Sequence, residues 1–152
     1  MATTNLDALA LASTLSVTGA ATAASVATTG GITSTGATGT GIGYATGAGG
    51  AVTQITNSAT GVTLSKLSGK ITTVALTTAA AAEEAFVVTN TTVAATDVVV
   101  VNTTYAGGGK PIVFVTNVAA GSFTINITNV HASAALDALM IINFAVIKAV
   151  AA

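Results

Sequence analysis

Residues 131–137 read HASAALD and contain three side-chain types that hydrolases use together, those of His131, Ser133 and Asp137. A catalytic triad is defined by geometry, with a carboxylate orienting an imidazole that in turn activates a hydroxyl. Here all three residues lie within one short turn, where that alignment is hard to build. The sequence therefore predicts a solvated turn histidine and no catalytic residue.

The carboxylates give no second candidate for an active site. Glu83 and Glu84 are adjacent, so on a strand they point to opposite faces and cannot act as a paired acid and base. They are predicted to be charges that guard a strand edge, and Asp97 is predicted to cap the turn before a valine run. These residues lack the spacing of metal ligands, and the chain has no cysteine. No metal, cofactor or small-molecule substrate is expected.

The glycine-rich stretch AGGGKP resembles the end of a phosphate-binding loop. However, Pro111 follows Lys110 where such a loop needs Ser or Thr. The stretch is therefore predicted to be a hairpin loop, and the chain is predicted not to be an enzyme. Sequons at Asn90, Asn102 and Asn126 are what a Thr-rich chain produces by chance.

The composition excludes several classes of partner. Apolar residues make up 51 % of the chain and charged residues 6 %, against about 25 % in ordinary proteins, and the net charge is −1. Such a surface offers no cationic patch for nucleic acid or for a membrane, and no apolar run reaches the roughly 18 to 20 residues of a membrane helix. The excess apolar surface is instead expected between subunits, which predicts an oligomer.

The chain is predicted to have two parts, an extended arm at residues 1–48 and a β-domain at residues 49–152. The arm is rich in Gly, Ala and Thr and holds only isolated larger apolar residues. It could order only against partners, or form a thin intertwined β stalk. The opening segment shows no basic region followed by an unbroken apolar stretch, so the chain is expected to be made and assembled in the cytoplasm.

From residue 51 onward, turn-forming segments separate eight runs rich in Val, Ile, Thr and Phe. The runs cover residues 51–56, 61–65, 70–77, 85–90, 97–103, 111–117, 122–130 and 138–150. Eight short strands without a helical period predict an all-β fold. The expected architecture is an eight-stranded antiparallel β-sandwich, jelly-roll-like, that follows the arm.

Two runs, DVVVVNT and the closing ALMIINFAVIKAV, show no alternation of apolar and polar residues. A helix is possible for the closing run, but its β-branched residues favour a strand whose two faces are both covered. The bulkier set, Met140 to Val150 in steps of two, is predicted to face the core. The other set is predicted to meet neighbouring subunits. The predicted interface residues are Ile141, Ala145 and Ile147, together with Val99 and Val101.

Several stretches resemble a domain widespread among the virion proteins of tailed bacteriophages. They are GIGYATGAGGAVTQITNSATGVTLSKLSGKITT, TNTTVAATDVVVVN, VAAGSFTINITNV and INFAVIKAVAA, which together cover about residues 42 to 152. Such domains occur in capsid decoration (cement) proteins, head fibres and tail-fibre-like proteins. The resemblance implies a non-enzymatic, jelly-roll-like module that assembles as a homotrimer.

The leading hypothesis is therefore a decoration protein on the outer surface of a phage capsid, bound to the major capsid protein. Its arms would clasp the shell or neighbouring protomers through apolar side chains. The predicted arm contacts are Leu9, Leu11, Leu15, Val17, Val26 and Ile32. The alternative is a head-fibre, tail-fibre or receptor-binding module attached through the arm.

Overall fold

The computed structural model of the protein describes residue 22, residues 43–44 and residues 47–150. This part of the chain forms eight β-strands and no helix, and each predicted run overlaps one strand. The strands are β1 (Gly49–Thr53), β2 (Val62–Thr63), β3 (Ser68–Thr72), β4 (Glu83–Thr89), β5 (Val98–Tyr105), β6 (Pro111–Ala119), β7 (Ser122–Asn129) and β8 (Met140–Ile147). The density of Val, Ile and Thr explains this preference for strands.

The strands form two four-stranded sheets, which confirms the predicted jelly-roll-like β-sandwich. Sheet A has the order β1-β3-β8-β5, and sheet B has the order β2-β4-β7-β6. The sheets are mixed rather than antiparallel throughout, because β1 pairs with β3 and β2 pairs with β4 in parallel. In each parallel pair, the two strands are separated in sequence by one strand of the opposite sheet. The connection is therefore long enough to return to the end of the sheet where the second strand begins.

The core lies between the sheets and is built by strict alternation along β7 and β8. Phe123, Ile125 and Ile127 are fully buried on β7, as their spacing predicts. On β8 the predicted inward set is confirmed for Met140, Ile142, Phe144 and Val146, which are buried. The prediction is wrong for its last two members, Lys148 and Val150, which lie beyond the end of the strand and are exposed. The rings of Phe123 and Phe144 meet edge to face, with 5.3 Å between their centroids.

The valine run on β5 differs from expectation. Val99 and Val101 pack against the core, whereas Val98 and Val100 remain 53 % and 50 % exposed. The prediction that both faces of this strand are buried is therefore wrong for the protomer. The physical reason is that four consecutive valines contain no polar residue to mark the outer face. The pairing of the strand in the folded sheet decides which valines point inward.

Successive strands mostly lie in opposite sheets, so their connections cross between the sheets. A tight turn at Ala120 and Gly121 joins β6 to β7. Among the described strands, these are the only two that are adjacent in sequence and also pair with each other. The AGGGK loop joins β5 of sheet A to β6 of sheet B, so the prediction that it closes a hairpin is wrong.

Asparagine organises several of the loops. A Val-Thr-Asn or Ile-Thr-Asn sequence occurs four times, at residues 55–57, 88–90, 115–117 and 127–129. In three of them the Asn side-chain oxygen accepts the amide two residues later, those of Ala59, Thr92 and His131. In the fourth, Asn117 adopts a left-handed backbone with φ of 51°. Both behaviours are typical of Asn at turns. The motif ends β4 and β7, lies in the loop after β1, and marks the register irregularity within β6.

Candidate subunit interface

The outer face of sheet A is nearly uncharged. Val98 lies opposite Ile147, and Val100 lies opposite Ala145, on the β5–β8 pair. Val98, Val100 and Ile147 are each half-exposed. Lys70 on β3 is the one charged residue among the outward positions of these four described strands. An aliphatic patch of this kind on a sheet face marks an interaction site more often than a free surface.

Two asparagines stand in the middle of this aliphatic face. Asn102 on β5 is the direct partner of Asn143 on β8, and both side chains are exposed. They border a shallow depression of about 380 Å³, which is also lined by Val100 and Ala145. The pair therefore places two amide groups at a concave point between aliphatic residues.

A second, larger depression of about 660 Å³ lies at the end of the same face. It is lined by Gly43, Tyr44, Ser68, Ala145, Ile147 and Lys148. The Tyr44 hydroxyl donates a hydrogen bond to the carbonyl of Val146. The Val146 amide is used elsewhere, since it donates to the Leu67 carbonyl at 2.8 Å. Tyr44 thus satisfies a strand carbonyl that lies beyond the last β3–β8 pair.

The outer face of sheet B carries a closed hydrogen-bond network instead. The two carboxylate oxygens of Glu83 accept from the Asn126 amide and the Thr128 hydroxyl, each at 2.7 Å. Asn126 accepts in turn from the Thr116 hydroxyl at 2.7 Å. The hydrogen bond from Thr128, followed by that from Asn126, lowers the pKa of Glu83 below its ordinary value. These four side chains therefore satisfy one another.

Apolar side chains on sheet B surround that network. Val87, Ile112 and Phe114 are 46 %, 51 % and 38 % exposed. Phe114 is the direct β6 partner of Asn126, and Ile112 is the partner of Thr128. Each of these outward apolar side chains on β6 thus stands beside a polar neighbour.

The side chains of His131 and Asp137, which were considered for catalysis, each bind backbone amides. The imidazole Nδ1 of His131 accepts the amides of Ser133 and Ala134 at 3.1 and 2.9 Å, so it holds the turn together. Asp137 accepts from the Gly108 amide at 2.6 Å, and its own amide donates to the Tyr105 hydroxyl. These two contacts of Asp137 join the β7–β8 loop to Gly108 in the β5–β6 loop and to Tyr105 at the end of β5.

The adjacent glutamates point to opposite sides of β4, as predicted. Glu83 lies on the outer face, whereas Glu84 accepts hydrogen bonds from the hydroxyls of Ser58 and Thr78. Glu84 thereby joins two loops to the start of β4. Neither glutamate contributes to an acid and base pair.

Asp97 forms a buried anchor for the chain that follows β8. It caps its own turn by accepting the Ala94 amide at 2.7 Å, as the sequence predicts, and it also binds the Lys148 ammonium and the Ala149 amide. The Ala94 amide first, and then the Lys148 side chain, lower the pKa of Asp97 below its ordinary value. Lys148 donates additionally to the Thr92 carbonyl at 2.9 Å.

Asn129, which the sequence analysis did not single out, organises the end of the sandwich opposite to the Asp97 anchor. Its side chain is fully buried; its amide nitrogen donates to three loop carbonyls and its oxygen accepts two amides. The carbonyls belong to Thr78, Ala79 and Ala134, and the amides to Lys110 and His131. The recurring Thr-Asn pair at strand ends is the signal that could have revealed it.

The predicted interface residues fall into two groups. Ile141, Ala145 and Ile147 lie on the outer face of sheet A, as expected from their alternation with the buried set. Val99 and Val101 point inward, so the outward residues of β5 are Val98 and Val100. The predicted arm contacts lie outside the described residues. They are Leu9, Leu11, Leu15, Val17, Val26 and Ile32.

Within the described part of the chain, no group of three or more His, Asp or Glu side chains is placed to hold a metal ion. The described residues also contain no helix long and apolar enough to cross a membrane.

Comparison of the chain with protein-family models, with curated proteins and with solved structures gives no match.

Proposed function

We propose that the protein is a non-enzymatic phage capsid decoration protein that binds the outer surface of the shell as a homotrimer. The observation that carries this proposal is the outer face of sheet A, where half-exposed aliphatic residues of β5 and β8 surround a single pair of amides. The resemblance of the β-domain to phage virion modules supports the same function.

The dimensions of this face suit an assembly surface. Its longest strands have eight residues, which corresponds to about 26 Å, and four strands span about 19 Å. Since β1 and β3 have only five residues each, the footprint of the face is about 400 Å², which is about half of the roughly 800 Å² that a standard interface buries on each partner. Burial of its aliphatic surface would contribute about 25 cal/mol per Å².

In this proposal the arms complete the assembly. Residues 1–48 would extend from the trimer to the major capsid protein or to a neighbouring protomer, and the isolated apolar residues from Leu9 to Ile32 would be buried there. Each arm that binds raises the effective concentration of the next, so three weak contacts give one tight attachment.

The location of the protein on virions tests the function. Gold-labelled antibody against the purified β-domain should decorate the whole capsid in electron micrographs. Label confined to the tail would overturn the proposal and favour the fibre or receptor-binding alternative. Virions from a phage with this gene deleted serve as the control for unspecific labelling.

A further inference from the structure

The two outer faces of the sandwich differ in how their polar side chains are satisfied. On sheet B, Glu83, Asn126, Thr128 and Thr116 bond to one another. On sheet A, the structure shows no hydrogen bond from the amides of Asn102 and Asn143 to any other described residue. The amides of sheet A are thus available to a partner, whereas the network of sheet B already has its partners within the protomer.

From this contrast we infer that the Asn102–Asn143 pair fixes the register of a contact between the sheet A faces of two or more copies of this chain. The inference rests on the proposed homo-oligomer and names the residues that align it. A second copy is the occupant because an amide both donates and accepts hydrogen bonds. Identical amides can therefore pair head to tail around a symmetry axis, which identical charges cannot do.

The surroundings of the pair favour this occupant over a charged partner. Three of the four same-face neighbours on β5 and β8 are aliphatic, namely Val100, Ile141 and Ala145, and the fourth is the uncharged Thr104. Lys70, the partner of Asn143 on β3, is the one charge of the face, and its long stem lets the ammonium reach the rim. A face with so little charge carries no complement to a strongly acidic or basic surface.

Asparagine in an aliphatic contact trades stability for specificity. In coiled coils, a buried Asn at one core position sets register and oligomer state at a cost in stability, because any other alignment leaves the amide without a partner. The same logic applies to a flat sheet face. An aliphatic face alone would tolerate sliding by two residues, whereas a central amide pair penalises it.

Matched lysine substitutions on the two faces test which face assembles. Val100 and Val87 are 50 % and 46 % exposed, on sheet A and sheet B respectively. The mass of the full chain would be measured by light scattering and sedimentation velocity at micromolar concentration. Val100→Lys should raise the concentration at which the oligomer dissociates by about a hundredfold or more, because each subunit would bury an unpaired ammonium. Val87→Lys should leave the mass unchanged.

Circular dichroism would verify that each variant is folded, and Val98→Lys would replace Val100→Lys if the latter unfolds. A monomeric wild-type chain, or equal masses for the two lysine variants, would overturn the inference. Virion labelling tests the capsid function separately. If the protein coats capsids but Val100→Lys stays assembled, the proposed function stands and the inference about sheet A is wrong.

The amide pair itself is tested by the double variant Asn102→Val, Asn143→Val. It keeps the strand propensity and makes the face wholly aliphatic at that point. We expect it to stay associated but to give several masses where the wild type gives one. A single mass equal to that of the wild type would show that the amides do not set the register.

Discussion

Phe144 lies opposite Gly69 across the β3–β8 pair, and its ring fills the space that a side chain at position 69 would occupy. A Cβ atom there would lie 2.5 Å from the Phe144 ring and 2.5 Å from the Leu64 methyl group Cδ2. Phe144 is the largest inward residue of β8 and also contacts Phe123 in the core. Because Gly69 has no side chain, the Phe144 ring can pack directly over the Gly69 backbone.

The Gly69→Ala substitution should therefore destabilise the fold. The added methyl must displace the Phe144 ring or the Leu64 side chain, at a cost of about 1–3 kcal/mol. Urea unfolding followed by circular dichroism would measure the loss. Gly43→Ala is the matched control, because a Cβ at that position meets nothing within 4 Å; equal effects for both variants would contradict the packing argument.

Opposite substitutions on the two faces of β8 should separate folding from assembly. Phe144→Lys should unfold the domain, because it removes a buried ring and introduces a charge without a partner. Ile141→Lys, on the outer face, should leave a folded chain that no longer assembles. Circular dichroism and light scattering on the same samples distinguish the two results, and an unfolded Ile141→Lys variant would be the contrary outcome.

Asn129→Ala should be among the most damaging single substitutions in the loops. It leaves three carbonyls and two amides without their partner, and each buried group that stays unsatisfied costs about 1–3 kcal/mol. The expected loss in the free energy of unfolding therefore exceeds about 3 kcal/mol. Asn57→Ala, which removes an exposed turn asparagine, should cost about 1 kcal/mol or less. Similar losses in the two variants would rule out the organising role of Asn129.

The anchor at Asp97 should make stability depend on acid pH. Its pKa is lower in the folded chain than its ordinary value of about 3.9, so its contribution is fully present above that value and is lost as the pH falls through the folded pKa. The Asp97→Asn variant should melt below the wild type at about pH 7, and the difference between the two melting temperatures should shrink as the pH falls through the folded pKa.

Thermal unfolding by circular dichroism over that pH range would test this prediction. Glu83 also has a lowered pKa, so its contribution has the same sign and is lost in an overlapping range. A Glu83→Gln background removes that overlap. A difference between wild type and Asp97→Asn that persists undiminished at the lowest pH would contradict an ionic origin of the anchor.

The sequence predicts where strands occur more reliably than how they pair. The alternation of β7 identifies its buried residues correctly, and the bulkier set of β8 is indeed the inward one. The pairing of β3 with β8, or of β2 with β4 in parallel, depends on contacts between distant segments and leaves no local pattern. The face taken by each valine of β5 was unpredictable for the same reason.

The candidate interface was predicted only in part. The outward positions of Ile141, Ala145 and Ile147 were predicted correctly, because side chains alternate between the two faces along the whole of β8. The Asn102–Asn143 pair could not be found from the sequence, because these residues lie 41 positions apart and meet only through the β5–β8 register. Each alone looks like an ordinary polar residue in an apolar run.

The position of β8 in sheet A has a consequence for how the chain folds. β8 pairs with β3 on one side and with β5 on the other, so an inner strand of sheet A is synthesised after the other three strands of that sheet. The β6–β7 hairpin can form early from local contacts, whereas β3 and β5 must wait for β8 before they join one sheet. Until β8 is made, the uncharged β5 has no partner strand on either side, and folding of sheet A competes with aggregation during that interval.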